Sequence, residues 1–458
     1  MITTELLSDL FDELFPICRS IAGPGLRQSL RLFQRYMPLE IEQVPSSTRV
    51  FDWTVPPEWH IRGGRLTAPS GEVLADFAQL NLHVVNYSVP VDKHLSLAEL
   101  RPHLYSLPRL PNAVPYVTAY YNRTWGFCLP DAVASGLQDG VYHAFIDSEF
   151  VQGGVDFAQC LLPGESKAEV LLTSYLCHPS MANNELSGPL ALLGVYHRIA
   201  QWKRRRFSYR FLLNPETIGA LCFLHCHGEP LRKNMAAGLV LTCLGGPKPG
   251  LRYKQSRRGD SILDQLAASA RANGSAALDI EAFDPAVGSD ERQYCSPGFN
   301  LPVGQVARTP YAEYAQYHTS LDTKAFMDIG TVYQSVNDIE GLLKLVEISG
   351  YFRNLQPFGE PHLASRNLYR TINRPPETAG AADQSERFRR QLMTILNYSD
   401  GWHSMVEIAG KCGCPLEDLR PAIEGLEESG LLSMRGGPGE FDERHAALAE
   451  GCIPSHRS

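Results

Sequence analysis

The chain has 458 residues, 44% hydrophobic and 20% charged, which is ample apolar material for about three folded domains. With 42 Lys and Arg against 50 Asp and Glu it carries a net charge of −8, which excludes a general electrostatic affinity for nucleic acid or an anionic membrane. No run of about 18 apolar residues is present. The acidic, periodic N-terminus lacks the basic start and apolar run of a secretory signal, and the 11 scattered cysteines, with no Cys-x-x-Cys pair, fit a reducing cytoplasm.

Two helical patterns open the chain, over Thr3–Cys18 and Gly25–Tyr36, the first with Leu6, Leu7, Leu10, Leu14 and Phe15 on one face. The composition then turns to Pro, aromatic and β-branched residues, with turn signals such as Pro69-Ser70-Gly71 and strand-like runs at Leu82–Ser88 and Tyr116–Tyr121. This pattern predicts a β-rich domain over residues 42–127, inserted into a larger domain built from 1–41 and 128–355. Its aromatics, Trp53, Trp59, Tyr116, Tyr120, Tyr121 and Trp125, read first as packing and, as the alternative, as a sugar- or substrate-facing surface.

From Lys167 to Gly350 strands and helices alternate. Strands are expected at Val170–Cys177, Tyr209–Leu213, Ala237–Cys243 and Leu301–Val306, and helices at Leu186–Trp202, Ile218–His225, Ser261–Ala272 and Val332–Ile348. Fully apolar strands separated by helices imply an α/β fold with a mostly parallel sheet flanked by helices.

Residues 356–384 read as a connection and 385–458 as a winged-helix domain. Its helices are expected at Phe388–Leu396, Ser404–Gly410 and Leu416–Ser429, with a turn at Cys412-Gly-Cys-Pro and a wing at Gly430–Gly437. The second helix of the helix-turn-helix carries Glu417, Asp418, Glu424, Glu427 and Glu428 against Arg420, so phosphates would repel it. The module is expected to contact protein, within the chain or in a homo-oligomer or other partner, rather than DNA. The basic run Lys203–Arg206 ends a helix, where cations favour the dipole, and Arg258-Gly-Asp260 reads as a turn with Asp260 capping the next helix.

In an open parallel sheet ligands bind beyond the carboxyl ends of the strands. The first strand end delivers Cys177-His178-Pro179-Ser180, then Asn184, Glu185, Ser187 and Gly188; the second delivers Asn214-Pro215-Glu216-Thr217; the third Leu244-Gly245-Gly246; the fourth leads to Arg308, Tyr311, Tyr314 and His318. Two histidines and a glutamate thus converge on one edge. Imidazoles are good zinc ligands, and a catalytic zinc keeps a position open. A nearby unligated carboxylate, here Glu216, can take the proton of the attacking water.

The phrases Cys-His-Pro-Ser-Met-Ala-Asn-Asn-Glu-Leu-Ser-Gly from Cys177, Pro-Glu-Thr-Ile-Gly from Pro215, Gly-Ser-Asp-Glu-Arg-Gln-Tyr-Cys-Ser-Pro-Gly from Gly288 and Glu-Tyr-Ala-Gln-Tyr-His-Thr-Ser-Leu-Asp from Glu313 carry a resemblance. The sequence resembles the bacterial aminopeptidase-like proteins of the zinc-dependent exopeptidase superfamily, which carry an inserted β domain and a C-terminal winged helix. Glutaminyl cyclase belongs to the same superfamily. The resemblance implies that His178 and His318 are metal ligands and Glu216 the general base. It also places Asn184 where a bridging Asp is expected, Thr217 where a second carboxylate is expected and Gly246 where an acidic ligand is expected. Those neutral positions imply one zinc ion rather than two, with Asn184 or Glu185 as the third ligand. Arg292, Tyr294, Tyr311 and Tyr314 are candidate substrate-binding residues, with loop packing as the alternative.

The function implied is that of a metallopeptidase-like, zinc-dependent hydrolase of amides, acting on a small peptide or an amino-acylated small molecule in a polysaccharide or secondary-metabolite pathway. Acyl or aminoacyl transfer or cyclisation on the same site is one alternative. A metal-poor binding or scaffold protein is the other.

Overall fold

A computed structural model describes residues 2–272, 278–311, 313–368 and 379–434. Its centre is an eight-stranded sheet: β1 (Glu40–Pro45), β2 (Gly154–Leu162), β3 (Glu169–Tyr175), β4 (Ser208–Asn214), β5 (Met235–Leu241), β6 (Leu251–Lys254), β7 (Leu278–Glu281) and β8 (Val303–Ala307). The spatial order is β1-β2-β4-β3-β5-β8-β6-β7. β4, β3, β5 and β8 run parallel, while β2 joins β4 and β6 joins β8 antiparallel. Every residue of β3 and β5 is buried, as strands covered on both faces require.

The two faces form separate cores because successive side chains on a strand point to opposite sides. Val170 and Leu172 pack with α1 (Thr4–Leu14), α2 (Pro24–Gln34), α3 (Ser187–Ala200), α5 (Ile262–Ala272) and α6 (Ile329–Val346). Leu171, Leu212 and Val240 pack with α4 (Ile218–Asn234) and with Trp59, Val85, Tyr87 and Tyr116 from the inserted segment. The helix starts are set locally. The Thr3 hydroxyl accepts from Leu6 N at 3.2 Å, Pro24 opens α2, and the Asp328 carboxylate accepts from Thr331 N at 2.7 Å.

The insertion is wider than residues 42–127. Its own sheet has the order Val73–Asp76, Glu58–Thr67, Val141–Val151, Val91–Ser96. The strand at 141–151 therefore belongs to it, whereas Glu40–Pro45 is the edge strand β1 of the central sheet. Leu82–Ser88 and Tyr116–Tyr121 are not strands. The first holds a short 3₁₀ turn at Asn81–His83, and both make only isolated bridges. Their side chains fill cores instead, with Val85, Tyr87 and Tyr116 buried against α4.

The winged-helix module also starts earlier than its helical pattern. Tyr351–Asn354 pairs antiparallel with both Asp400–Ser404 and Leu432–Met434, so the sheet of this module closes around residues assigned by sequence to the α/β domain. A strand that pairs only with segments about 50 and 80 residues away carries little local signal. The described part of the wing ends at Met434; residues 435–458, and 369–378 of the expected connection, lie outside the described residues.

The acidic helix Arg420–Glu428 is turned onto the α/β domain. Glu427 accepts from Arg206 at 2.5 and 3.0 Å and pairs with Arg204 at 3.3 Å, and Arg420 donates to Lys344 O at 3.0 Å. The basic run Lys203–Arg206 lies beyond the end of α3 at Ala200, and it meets this helix. No helix among the described residues is long and apolar enough to cross a membrane. Arg206 and Glu427 are nearly buried, so removing one charge strands the other. Glu427→Ala is expected to destabilise the chain by roughly 3 kcal/mol. Denaturant unfolding checks this, and an unchanged midpoint would show that the pair holds nothing.

Candidate functional site

The site lies beyond the carboxyl ends of β3 and β4, where a parallel sheet leaves backbone and side chains facing one crevice. After β3 the chain reaches His178, 4% exposed. Its Nδ1 bonds the Glu185 carboxylate at 2.8 Å, and Glu185 is paired at 3.7 Å with Arg19, a guanidinium with no exposed surface. Arg19 also donates to His178 O at 3.1 Å and to Leu14 O at 2.6 Å. With Nδ1 donating to a carboxylate, the Nε2 lone pair is left for the site. That atom is 3.8 Å from Glu216 Oε2.

Glu185 comes from a π-helical turn, Ala182–Leu186, at the head of α3. Such turns leave backbone N–H groups out of the α ladder. Here Asn183 N and Asn184 N donate to the Asp322 carboxylate at 2.8 and 2.9 Å. Burial pushes the Asp322 carboxyl up to about 6, against the backbone N–H groups that hold it down. Asp322 lies four residues past His318, so one carboxylate ties the two histidine loops together.

His318 is held from its other side by the insertion. Tyr116 N donates to His318 O at 2.8 Å, Ser320 N to Val114 O at 2.8 Å, and Pro115 and Thr319 form an antiparallel bridge. This pairing fixes His318 at φ 54°. Its ring stacks on Tyr317 at 3.9 Å, and the His178, His318 and Tyr116 rings meet with all three centroid separations at 5.2 Å. His318 Nε2 is buried and has no hydrogen-bond partner. Burial, and then the His178 imidazole, push His318 down to about 3, so it keeps a free lone pair at ordinary pH.

Glu216 follows Pro215 at the end of β4. Ile218 N bonds back to Glu216 O at 2.8 Å around Thr217, whose φ and ψ are 62° and −75°. That is the rare, strained γ-turn, and it sits on a β-branched residue. Asp290 clamps it, accepting from Thr217 N at 2.7 Å and Asn214 Nδ2 at 2.8 Å, and the Ser289 hydroxyl donates to Glu216 Oε1 at 2.7 Å. Burial and the Glu216 carboxylate push the Asp290 carboxyl up to about 7. Glu291 backs this clamp, buried, accepting from Ser289 N at 2.9 Å and ion-paired with Lys254 at 3.1 Å.

The structure therefore gathers His178, His318 and Glu216. The other expected residues make contacts of their own. Asn184 Oδ1 accepts from the Tyr175 hydroxyl at 3.3 Å. Tyr294 is fully buried in the core that includes α4, because the short helix that carries it packs inward. Arg292 donates to Ser289 O at 3.1 Å, and Tyr314 stacks on Phe326 at 4.8 Å. Tyr311 lies 6.0 Å from Tyr317 and lines a cavity of about 180 Å³ with Arg252, Lys254 and Glu313. Arg19 and Tyr317 have no motif of their own in the sequence, and Tyr116 reads there first as packing, with a substrate-facing surface as the alternative.

The two imidazoles are donors of the type a single zinc ion takes. Two imidazole nitrogens face the crevice, one of them an orphaned buried atom. Among the described residues the only three potential ligand atoms within 4.8 Å of one another belong to Cys177, His178 and Glu185. That group is already an internal hydrogen-bonded chain, and burial pushes the Cys177 thiol up to about 11. His178, His318 and Glu216 form a less compact group: the two imidazole centroids are 5.2 Å apart and His178 Nε2 is 3.8 Å from Glu216 Oε2. A second adjacent cation lacks anions: Thr217 offers none, and a side chain at Gly246 would begin 2.4 Å from Thr309 Cβ.

Residues 8–349 match the family model described as a domain of unknown function, DUF4910. The chain belongs to that family. Residues 350–434 match a winged helix-turn-helix model, in step with the early strand at Tyr351. A Clostridium acetobutylicum protein whose provisional name couples polysaccharide biosynthesis with an aminopeptidase-like domain is 38% identical over 427 residues, 93% of this chain and 95% of the relative. A crystal structure from the same species, provisionally named a peptidase, superposes with a TM-score of 0.81 at 35% identity, covering 94% of this chain and 96% of that one. The zinc aminopeptidase BSAP of Bacillus subtilis shares the fold alone, with a TM-score of 0.54 at 11% identity over 75% of this chain and 93% of its own. The aminopeptidase-like α/β fold with a C-terminal winged helix is thus the fold of this protein.

The γ-turn gives a direct test of strain at the site. Thr217→Gly is expected to raise stability by about 1 kcal/mol, since relief of a strained β-branched residue exceeds the entropic cost of glycine. A lower thermal midpoint would show that Thr217 is not strained.

Proposed function

We propose that the protein is a metal-dependent amide hydrolase that uses one zinc ion held by His178 and His318. The observation that carries this reading is the pair of buried imidazoles, one with an orphaned Nε2, opposite Glu216. Zinc bound there supplies Lewis acidity toward the carbonyl under attack. The protein's own residues do the rest. Ser289 occupies Glu216 Oε1, so Oε2 is the oxygen that takes the proton of the attacking water. Asp290 and the γ-turn keep that oxygen aimed at the crevice, and the rings of Tyr116 and Tyr317 exclude bulk water around the imidazoles.

The substrate in this reading is an amino-acylated or peptide-bearing small molecule attached to carbohydrate. The polysaccharide name of the relative at 38% identity supports the carbohydrate part. The reaction takes place in the cytoplasm, where thiols such as Cys177 and Cys295 stay reduced. The winged helix serves as a protein-contact module, because its acidic helix already engages Arg204 and Arg206.

Protein purified without added metal is expected to carry about one zinc per chain, and His178→Ala and His318→Ala to lose it while staying folded. Elemental analysis decides: zinc-free wild type, or full occupancy in either variant, removes the proposed ligand set. Glu216→Gln should keep its zinc and lose turnover of amino-acyl amides by about 10²–10⁴-fold. Loss of zinc in step with activity would make Glu216 a ligand instead. The full-length protein should show no sub-micromolar, salt-sensitive binding to duplex DNA; such binding in a titration would overturn the role given to the winged helix.

A further inference from the structure

One hairpin of the insertion breaks two rules at a single residue. Arg49–Val50 and Trp53–Thr54 pair across the two-residue turn Phe51-Asp52. Phe51 has φ 54°, a value that hairpin turns of this length ordinarily assign to Gly, Asn or Asp. The same side chain is 46% exposed. A strained backbone that leaves nearly half of a phenyl ring in solvent is costly for folding, and such violations cluster at functional positions.

Phe51 is part of a strip. Trp53 is 40% and Tyr121 49% exposed, and their rings meet edge to face at 5.5 Å. Phe51 stands edge-on to Phe299 at 5.5 Å and to His225 at 6.0 Å. The strip lies along α4, where Gly228 leaves room for Phe299. Helix α4 begins two residues after Glu216, and His225 is seven residues along it, roughly 11 Å at the helical rise. At the other end Tyr121 adjoins Tyr120, whose hydroxyl bonds that of Tyr116 at 2.8 Å, and Tyr116 touches both histidine rings. A chain of aromatic residues, Tyr120 and the buried Tyr116, thus leads from the strip back to the histidines.

We propose that Trp53, Tyr121 and Phe51, backed by Phe299, form a carbohydrate subsite that holds the sugar rings of the substrate beyond the bond facing Glu216. A pyranose presents a C–H face that stacks on aromatic rings and a rim of hydroxyls that needs polar partners. Indole and phenol rings suit such half-wet contacts, and contiguous exposed apolar surface marks a binding site. The rim is polar: Asp52 and Arg49 pair at 2.8 Å beside Trp53, and Arg257 donates to Asn300 at 2.8 Å beside Phe299. The sugar assignment rests on the hydrolase reading for its substrate, but its binding does not depend on metal.

The test uses metal-free, full-length protein and the His178→Ala variant, with a panel of neutral, N-acetylated and acidic tri- to pentasaccharides, read by saturation-transfer NMR and tryptophan fluorescence. At least one oligosaccharide class is expected to bind both proteins equally, with saturation concentrated on its ring C–H protons. Trp53→Ala and Tyr121→Ala should each weaken that binding about tenfold, the scale of one aromatic contact. Phe51→Gly should bind more weakly and unfold about 2 °C or more higher, because the turn regains its preferred residue. A merely structural hairpin predicts the opposite stability change. Absence of binding across the panel overturns the proposal, as does binding that only apolar peptides show or that survives both ring deletions. Sugar binding together with failure of the wild type to take up zinc when zinc is supplied would leave this subsite standing and remove the hydrolase; zinc-dependent activity without sugar binding would do the reverse.

Discussion

The carboxylate of Glu185 lies between a buried guanidinium and the Nδ1 of His178, and most of the site depends on that arrangement. An imidazole at a strand end can offer a lone pair on either nitrogen. Donating Nδ1–H to Glu185 leaves Nε2 for the crevice, where Glu216 stands. Arg19 makes the buried carboxylate tolerable, since an unpaired charge there would be expensive. Arg19 comes from the segment joining α1 to α2, so the N-terminal helices also hold the chemistry in place.

The second histidine depends on a different part of the chain. His318 sits in the left-handed region, which a non-glycine residue keeps only when its surroundings fix it. Backbone pairing with Val114–Tyr116 does so from the insertion, and Asp322 does so from the turn that also carries Asn184 and Glu185. The insertion is thus a wall of the site as well as a separate β unit with its own core around Phe127, Tyr142 and Ile146. Its hairpin then continues the same wall outward along α4.

Strain recurs where the chain must aim a group. The γ-turn at Thr217 turns the backbone sharply just after Glu216, with Asp290 receiving the N–H that the turn exposes. Phe51 repeats the pattern at the hairpin. Both are local conflicts that surrounding contacts over-determine, and a sequence optimised for folding alone would place glycine at either position.

The sequence by itself determined the α/β class, because apolar strands buried on both faces leave a composition that no exposed element tolerates, and β3 and β5 keep it throughout. It also determined that His178 and Glu216 share an edge, since both follow parallel neighbouring strands directly. His318 required more, lying eleven residues past β8 in a loop whose course is set by the insertion. Only the tertiary structure decided that Tyr294 is buried, that Arg19 backs Glu185, that strand 141–151 belongs to the insertion and that Tyr351–Asn354 belongs to the winged helix. Each of these rests on a pairing between segments distant in sequence. Local periodicity reports whether a residue is buried on its own element, and the partner across the core is chosen by packing and backbone hydrogen bonding that no window of neighbouring residues contains.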